Sequence, residues 1–168
     1  PACHTSIVAD AQGPNNTITV SDAAGLLALG EAFRILGRDQ ADAFIVGGCE
    51  AKINPLSLSR HNTFQPFTKR NDAAETAIRP FDADRDGTAL GEGAAAFGLE
   101  ELEFAKKRGA PIVAELLGYA SGFDRGRKGP VFAQVIRNAL REAAIQPGDV
   151  DHVNAGAGGL PELDAFEA

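Results

Sequence analysis

Methionine and tryptophan are absent from the sequence, tyrosine occurs once, and only two cysteines, Cys3 and Cys49, are present. So few cysteines argue against a disulfide-stapled secreted domain and indicate a reducing compartment, so the expected location is the cytoplasm. The chain begins at Pro1 and contains no methionine, which leads us to expect the middle part of a longer protein.

Long hydrophobic runs and an excess of positive charge are also missing. No apolar run approaches the roughly 20 residues that cross a membrane, and no signal segment opens the chain. Lysine and arginine number 16 against 23 aspartates and glutamates, which gives a formal net charge of −7. This balance argues against a nucleic-acid partner and against binding to an anionic membrane.

The remaining composition is that of a globular protein. Of the 168 residues, 44% are hydrophobic and 23% are charged. These values predict one domain with a real core, so residues 1–168 are interpreted as a single partial domain.

The sequence is organised around the stretch from Thr17 to Gly25. Its first four residues, Thr17 to Val20, are β-branched and favour a strand, whereas Asp22 to Gly25 are small or cap-forming. Apolar residues then recur at helical spacing as far as Leu36. A strand that turns sharply into a buried helix aims the turn residue at the positive end of the helix dipole, and that residue is Asp22.

The rest of the pattern predicts an α/β fold. Short apolar runs at 43–48, 94–99, 112–119 and 150–154 indicate further strands, and 17–48 would form a right-handed βαβ unit. Helices are predicted for 55–60, 100–108 and 131–143, the last with one apolar face.

Two motifs match the beginning of a known binding-site pattern, but each lacks a residue that the pattern requires. Residues 82–87 open like a calcium-binding loop, but its twelfth position is Gly93 instead of the required glutamate. The glycine cluster 156–159 lacks the third glycine of a dinucleotide fingerprint, because that position is Pro161. We therefore expect no metal and no cofactor. Cys49 could be a nucleophile, although a small buried residue is the commoner role.

Several segments carry a resemblance in their order along the chain: Gly47–Glu50 as GGxE, Thr68–Asp72 as a TRND-like loop, Arg79–Ala94 as RPFDxxRDGxxxGEGA, and Val153–Ala168 as VNAHGTGTPxxDxxEA. Together they resemble the β-ketoacyl-acyl carrier protein synthases, the condensing enzymes of fatty acid and polyketide synthesis. The resemblance implies a thiolase-like layered fold, with helices around a mixed β-sheet. A complete family member contains two related halves, and this chain would be its central part.

The resemblance also implies partners. These are an acyl carrier protein or acyl thioester, and a second subunit in a homodimer or in a heterodimer with an active ketosynthase. The lysine and the second histidine of the family's active site would lie downstream of this sequence.

Two positions depart from the family pattern. Asp22 occupies the place of the nucleophilic cysteine, and Gly156 occupies that of the first active-site histidine. Condensation needs a thiolate that accepts the acyl chain and a hydrogen-bond donor that assists decarboxylation. The loss of both residues therefore predicts a protein that does not catalyse condensation. The interpretation that we favour for Asp22 is an N-cap, worth about 1 kcal/mol.

Three functions follow from the resemblance. The first is a non-condensing partner, comparable to the chain-length-factor subunits of some polyketide systems. The second is an acyl-transfer or hydrolytic enzyme in which Asp22 is base or nucleophile, and a base would need a raised pKa in a dry pocket. The third is a binding module for an acyl chain or acyl carrier protein.

Overall fold

The computed structural model describes residues 2–125 and 129–168. Within these residues the helices are α1 (Ala2–Val8), α2 (Ala24–Leu36), α3 (Pro55–Phe64), α4 (Leu102–Lys107), α5 (Pro130–Ala143) and α6 (Pro161–Glu167). Two strands, β1 (Ala43–Ala51) and β2 (Glu92–Glu100), hydrogen-bond to each other in a two-stranded sheet. Short 3-10 turns lie at Ser21–Ala23, Ala74–Thr76 and Pro147–Asp149.

The chain divides into two compact units. The first contains residues 1–49, 94–121 and 135–145, and so holds α2 and most of β1, β2 and α5. The second contains residues 50–93, 122–134 and 146–168, with α3 and α6. The interpretation of residues 1–168 as a single partial domain stays a prediction.

Helix α2 confirms the helical spacing that the sequence predicts. It runs from Ala24 to Leu36, buries Gly30, Ala32 and Ile35, and ends at Gly37. The ring of Tyr119 lies over Gly30 so closely that a Cβ built there would be 2.1 Å from the ring. A helix-interior glycine normally costs about 1 kcal/mol, and here its bare Cα makes room for an aromatic ring.

An ion pair fastens α2 to α5. Arg34 hydrogen-bonds to Glu142 through both guanidinium Nη atoms and also donates to the main-chain oxygen of Tyr119 at 3.1 Å. The amide of Tyr119 donates to Glu142 Oε2 at 2.8 Å, and this bond, before the contribution of Arg34, lowers the pKa of Glu142. The cluster fixes the helix that follows Asp22 within the first unit.

Strands β1 and β2 approach each other closely at a glycine. A Cβ at Gly47 would lie 2.5 Å from Ala95 O and 3.1 Å from Ala96 Cα, both of them main-chain atoms of β2. A Cβ at Gly98, on β2, would meet nothing within 4 Å. The backbone of a paired strand cannot move aside as a flexible side chain can, so the two glycines differ sharply in what they tolerate.

Gly47→Ala is therefore expected to lower the free energy of unfolding by about 1–3 kcal/mol through overpacking. Gly98→Ala on the same sheet is the matched control and should change it by less than about 0.5 kcal/mol. Urea denaturation of both variants checks the pair. Equal effects would contradict the close approach of Gly47 to β2.

Three predicted strands are wrong: 17–20, 112–119 and 150–154 have no regular secondary structure. The predicted βαβ unit across 17–48, with its crossover, is wrong for the same reason. Branched and apolar residues favour an extended backbone, but a strand also needs hydrogen bonds to a neighbouring strand. Val113 illustrates the case, because it is 97% exposed. The strands over 43–48 and 94–99 and the helices over 55–60, 100–108 and 131–143 are confirmed, with shifts of at most four residues at their ends.

Candidate functional site

The turn before α2 has a strained backbone. Residues 14–20 have no regular structure, and Ser21 then adopts a φ of 37°, in the left-handed region that non-glycine residues avoid. The 3-10 turn Ser21–Ala23 leads directly into α2 at Ala24. Strain of this kind costs about 1–3 kcal/mol and persists only where the surroundings hold it.

Asp22 is the middle residue of that turn, and it is exposed. The N-cap prediction for Asp22 is wrong: the N-cap residue of α2 is Ala23, and no side chain makes the cap hydrogen bond. The additional 3-10 turn moves the start of α2 beyond Asp22, which sequence spacing could not anticipate. Asp22 nevertheless lies just before the positive end of the α2 dipole.

The end of β1 lies close to the first turn of α2. A Cβ at Gly48 would be 3.5 Å from Gly25 Cα, so the two glycines bring the strand close to the start of α2. The next residue, Cys49, is a free and exposed thiol, as is Cys3. The interpretation of Cys49 as a small buried residue is wrong, because the last five residues of β1 are all exposed.

The loop at Gly156 belongs to the second unit and is held by a carboxylate. The amide of Gly156 donates to Glu167 Oε1 at 2.6 Å, and the amide of Ala157 donates to Glu167 Oε2 at 3.0 Å. Gly156 has no side chain to offer a donor. A Cβ built there would lie 3.1 Å from Glu167 Oε1, so a larger residue fits after a small shift of that carboxylate.

A buried aspartate joins the segment 79–87 to α6. Asp164 has no exposed surface, and its Oδ2 accepts a hydrogen bond from the amide of Phe81 at 2.9 Å. Arg85 Nε lies 3.4 Å from the same oxygen, and Arg85 Nη2 donates to Pro161 O at 3.0 Å. The segments that resemble RPFDxxRDG and PxxD are therefore in direct contact.

The Thr68 loop meets the same segment from its other end. Thr68 Oγ1 donates to Asp86 Oδ1 at 2.8 Å, and the amide of Lys69 donates to Asp86 Oδ2 at 3.0 Å. Gly87 is buried with a φ of 154°, and a Cβ there would lie 2.6 Å from Pro66 O. Glycine is required at this position, because only a residue without Cβ fits between the two loops.

These hydrogen bonds make Asp86 sensitive to acid. The amide of Lys69, and next the hydroxyl of Thr68, lower the pKa of Asp86 below its ordinary value of 3.8. A group whose pKa is lower in the folded state stabilises the fold above its unfolded pKa, and that contribution is lost as the pH falls through the folded pKa. The window therefore opens near pH 3.8 and extends below it.

Asp86→Asn is accordingly expected to lower the urea midpoint at about pH 5.5, where the carboxylate is ionised in both states. The difference from the unmodified protein should shrink as the pH falls below 3.8, because protonation of the carboxyl removes this contribution. Asp84→Asn, an exposed change in the same loop, is the control. A difference that stays constant with pH would contradict the assignment.

Family models match almost the whole chain. The model for the β-ketoacyl synthase N-terminal domain matches residues 1–105, and that for the C-terminal domain matches residues 113–168. The chain belongs to the β-ketoacyl synthase family. Two of the segments that carry the resemblance, 79–94 and 153–168, meet through Asp164.

Curated relatives of this ketosynthase-family chain include known synthases. The 3-oxoacyl-[acyl-carrier-protein] synthase 2 of Coxiella burnetii is 41% identical over 169 residues, with 97% of this chain and 41% of that protein covered. The mitochondrial 3-oxoacyl-[acyl-carrier-protein] synthase of Arabidopsis thaliana is 39% identical, with 98% and 37% covered. The chain thus spans about two fifths of the length of these relatives.

Solved ketosynthases share its fold. A type II polyketide ketosynthase, in complex with its acyl carrier protein and bound to the hexaketide, superposes with a TM-score of 0.94 at 32% identity, covering 99% of this chain and 42% of that one. The ishigamide ketosynthase/chain length factor gives 0.81 at 31% identity, covering 91% and 37%. The predicted thiolase-like α/β fold is therefore confirmed.

Two structural residues of this ketosynthase-family site escaped the sequence reasoning. Asp164 and Glu167 match the D and E of the pattern PxxDxxEA. Their spacing of three residues on a helix indicates that they share one side of it, and this was the signal that could have identified them. In the part of the chain that the structure describes, no group of three or more His, Cys, Asp or Glu side chains could hold a metal ion. No helix among residues 2–125 and 129–168 has the length and hydropathy to cross a bilayer.

Proposed function

We propose that this protein is a non-condensing member of the ketosynthase family that serves fatty acid or polyketide biosynthesis as a partner subunit. The observation that supports this most is the residue at the strained turn before α2, which is Asp22. The turn presents a residue just before the start of α2, and the side chain at that position is a carboxylate.

Carboxylate chemistry does not replace thiolate chemistry at this position. A thiolate attacks an acyl thioester and yields another thioester, which is stable enough to be carried to the next step. A carboxylate would yield a mixed anhydride, which water cleaves.

Gly156, which lies in the second unit, supports the same proposal. The family's histidine donates a hydrogen bond that helps decarboxylation, and glycine supplies only its main-chain amide. That amide is already donated to Glu167 Oε1. The two residues together remove the acceptor for the acyl chain and the side-chain donor for decarboxylation.

The proposed partners come from the relatives. Among the structures that share this fold, one is a ketosynthase in complex with its acyl carrier protein and another is a ketosynthase/chain length factor. We propose that this protein forms a heterodimer with an active ketosynthase, or a homodimer, and that an acyl carrier protein or acyl thioester binds to the assembly.

Co-expression tests the partner role. The gene's full-length product is purified with each active ketosynthase encoded in the same genome, one of them untagged, and the mass of the complex is measured by light scattering. A stable complex of one copy of each is expected, together with a change in product chain length. A full-length product that binds no ketosynthase and leaves product length unchanged would overturn the role as a partner of an active ketosynthase.

The second candidate is an enzyme in which Asp22 is the general base or nucleophile. The position of Asp22 favours it, because the resemblance places this residue where the family's nucleophile reacts with the acyl chain. Hydrolysis of acyl thioesters that disappears in Asp22→Asn, with the fold intact, would favour this enzyme over the partner subunit.

A further inference from the structure

Helix α6 carries two carboxylates that accept hydrogen bonds from the main chain of two different loops. Asp164 and Glu167 are three residues apart, so they lie on the same side of the helix. Asp164 accepts from the amide of Phe81, and Glu167 accepts from those of Gly156 and Ala157. The proposed function mentions Glu167 only as the acceptor of the Gly156 amide and does not use Asp164.

The two loops share a second feature at the bonded residues. Phe81 has a φ of 62° and Ala157 has a φ of 47°, although neither residue is glycine. A left-handed non-glycine residue costs about 1–2 kcal/mol, and it persists only where other contacts hold it. Hydrogen bonds to ionised carboxylates are the strong kind that can do so. Phe81 and Ala157 each donate their own amide to a carboxylate of α6.

The loops also touch each other directly. Gly159 has a φ of 73°, and a Cβ built there would lie 2.8 Å from Gly87 O. Gly159 follows Gly156 by three residues, and Gly87 follows Phe81 by six. A displacement of either loop at this contact would press on the backbone of the other.

We infer that Glu167 is the positioning residue for the main chain at residue 156, and that α6 couples this loop to the loop 79–87 through Asp164. Residue 156 is where the family pattern carries its histidine. Because the carboxylate holds the amides and not a side chain, the loop keeps its conformation although glycine occupies this position. This inference does not depend on which proposed function is correct.

Amide proton resonances report the contact directly. The full-length product is labelled selectively with 15N-glycine, 15N-alanine and 15N-phenylalanine, and its amide hydrogen-exchange rates are compared with those of Glu167→Ala. The Gly156 and Ala157 amides should both exchange more than about tenfold faster in Glu167→Ala, because each is bonded to one oxygen of the same carboxylate. Their exchange should be unchanged in Glu162→Ala, an exposed change on the same helix.

Coupling is tested by hydrogen exchange. Asp164→Asn should accelerate exchange at Phe81, and also at Gly156 and Ala157 by more than about tenfold, although the amides of the latter two are bonded to Glu167 and not to the substituted residue. Exchange accelerated at Phe81 alone would overturn the coupling. Gly156 and Ala157 amides that exchange in the unmodified protein as fast as those of an unstructured chain would overturn the role of Glu167, and this measurement requires no variant.

Discussion

Replacing Asp164 by alanine is expected to lower the free energy of unfolding by about 3–5 kcal/mol, the cost of removing one partner from a buried ion pair. Asp164 is fully buried, and the side chain of its partner Arg85 is only 18% exposed. The substitution leaves a guanidinium short of its counter-charge and the amide of Phe81 without its acceptor. Both groups were desolvated when the chain folded, so neither recovers its lost hydration.

Urea denaturation of the full-length product measures this effect. With an m-value of about 2 kcal/mol/M, the midpoint should fall by about 1.5–2.5 M. Asp164→Asn should cost less, because its amide oxygen can still accept from Phe81. Glu162→Ala, exposed on the same helix, should change stability by less than about 0.5 kcal/mol. A similar small change for Asp164→Ala would show that the buried contact does not stabilise this unit.

Asp22→Cys is expected to give the protein an acyl adduct that the unmodified protein does not form. A thiol placed before the positive end of α2 has a lowered pKa, and its thiolate attacks thioesters. With an acyl carrier substrate, the variant should accumulate more than about tenfold as much covalent adduct as the parent, by intact mass. Addition of Gly156→His should then restore part of the decarboxylation of a malonyl substrate.

The two natural thiols must be removed from this comparison. Cys3 and Cys49 are both free and exposed, so either could be acylated without any help from the turn. The parent and the variant are therefore both prepared with Cys3→Ser and Cys49→Ser. An adduct that is equally abundant with and without Asp22→Cys would contradict the view that the turn still presents its residue to an acyl substrate.

The parts of the fold that sequence predicted are those that local pattern determines. Apolar spacing defines α2 and α5, and continuous apolar runs define β1 and β2. The segment 112–119 has the composition of a strand but lacks one, because pairing depends on a neighbour that local sequence does not specify.

The assignment of Asp22 and Gly156 to the site rests on the resemblance and stays a prediction. The roles of Asp164 and Glu167 could not be predicted, because they depend on hydrogen bonds to main-chain amides distant in sequence. Side-chain identity carries no signal for which distant amide a carboxylate will bind. The 3-10 turn that contains Asp22 and precedes α2 could likewise not be predicted from helical spacing.

The most direct test of the proposed loss of condensing chemistry uses the full-length product without substitutions. It is incubated with an acyl carrier substrate and a malonyl carrier substrate, and then analysed for covalent mass, carbon dioxide release and β-ketoacyl product. The account predicts an unchanged protein mass and no condensation product. A stable acyl adduct with β-ketoacyl product formed at each turnover would contradict it.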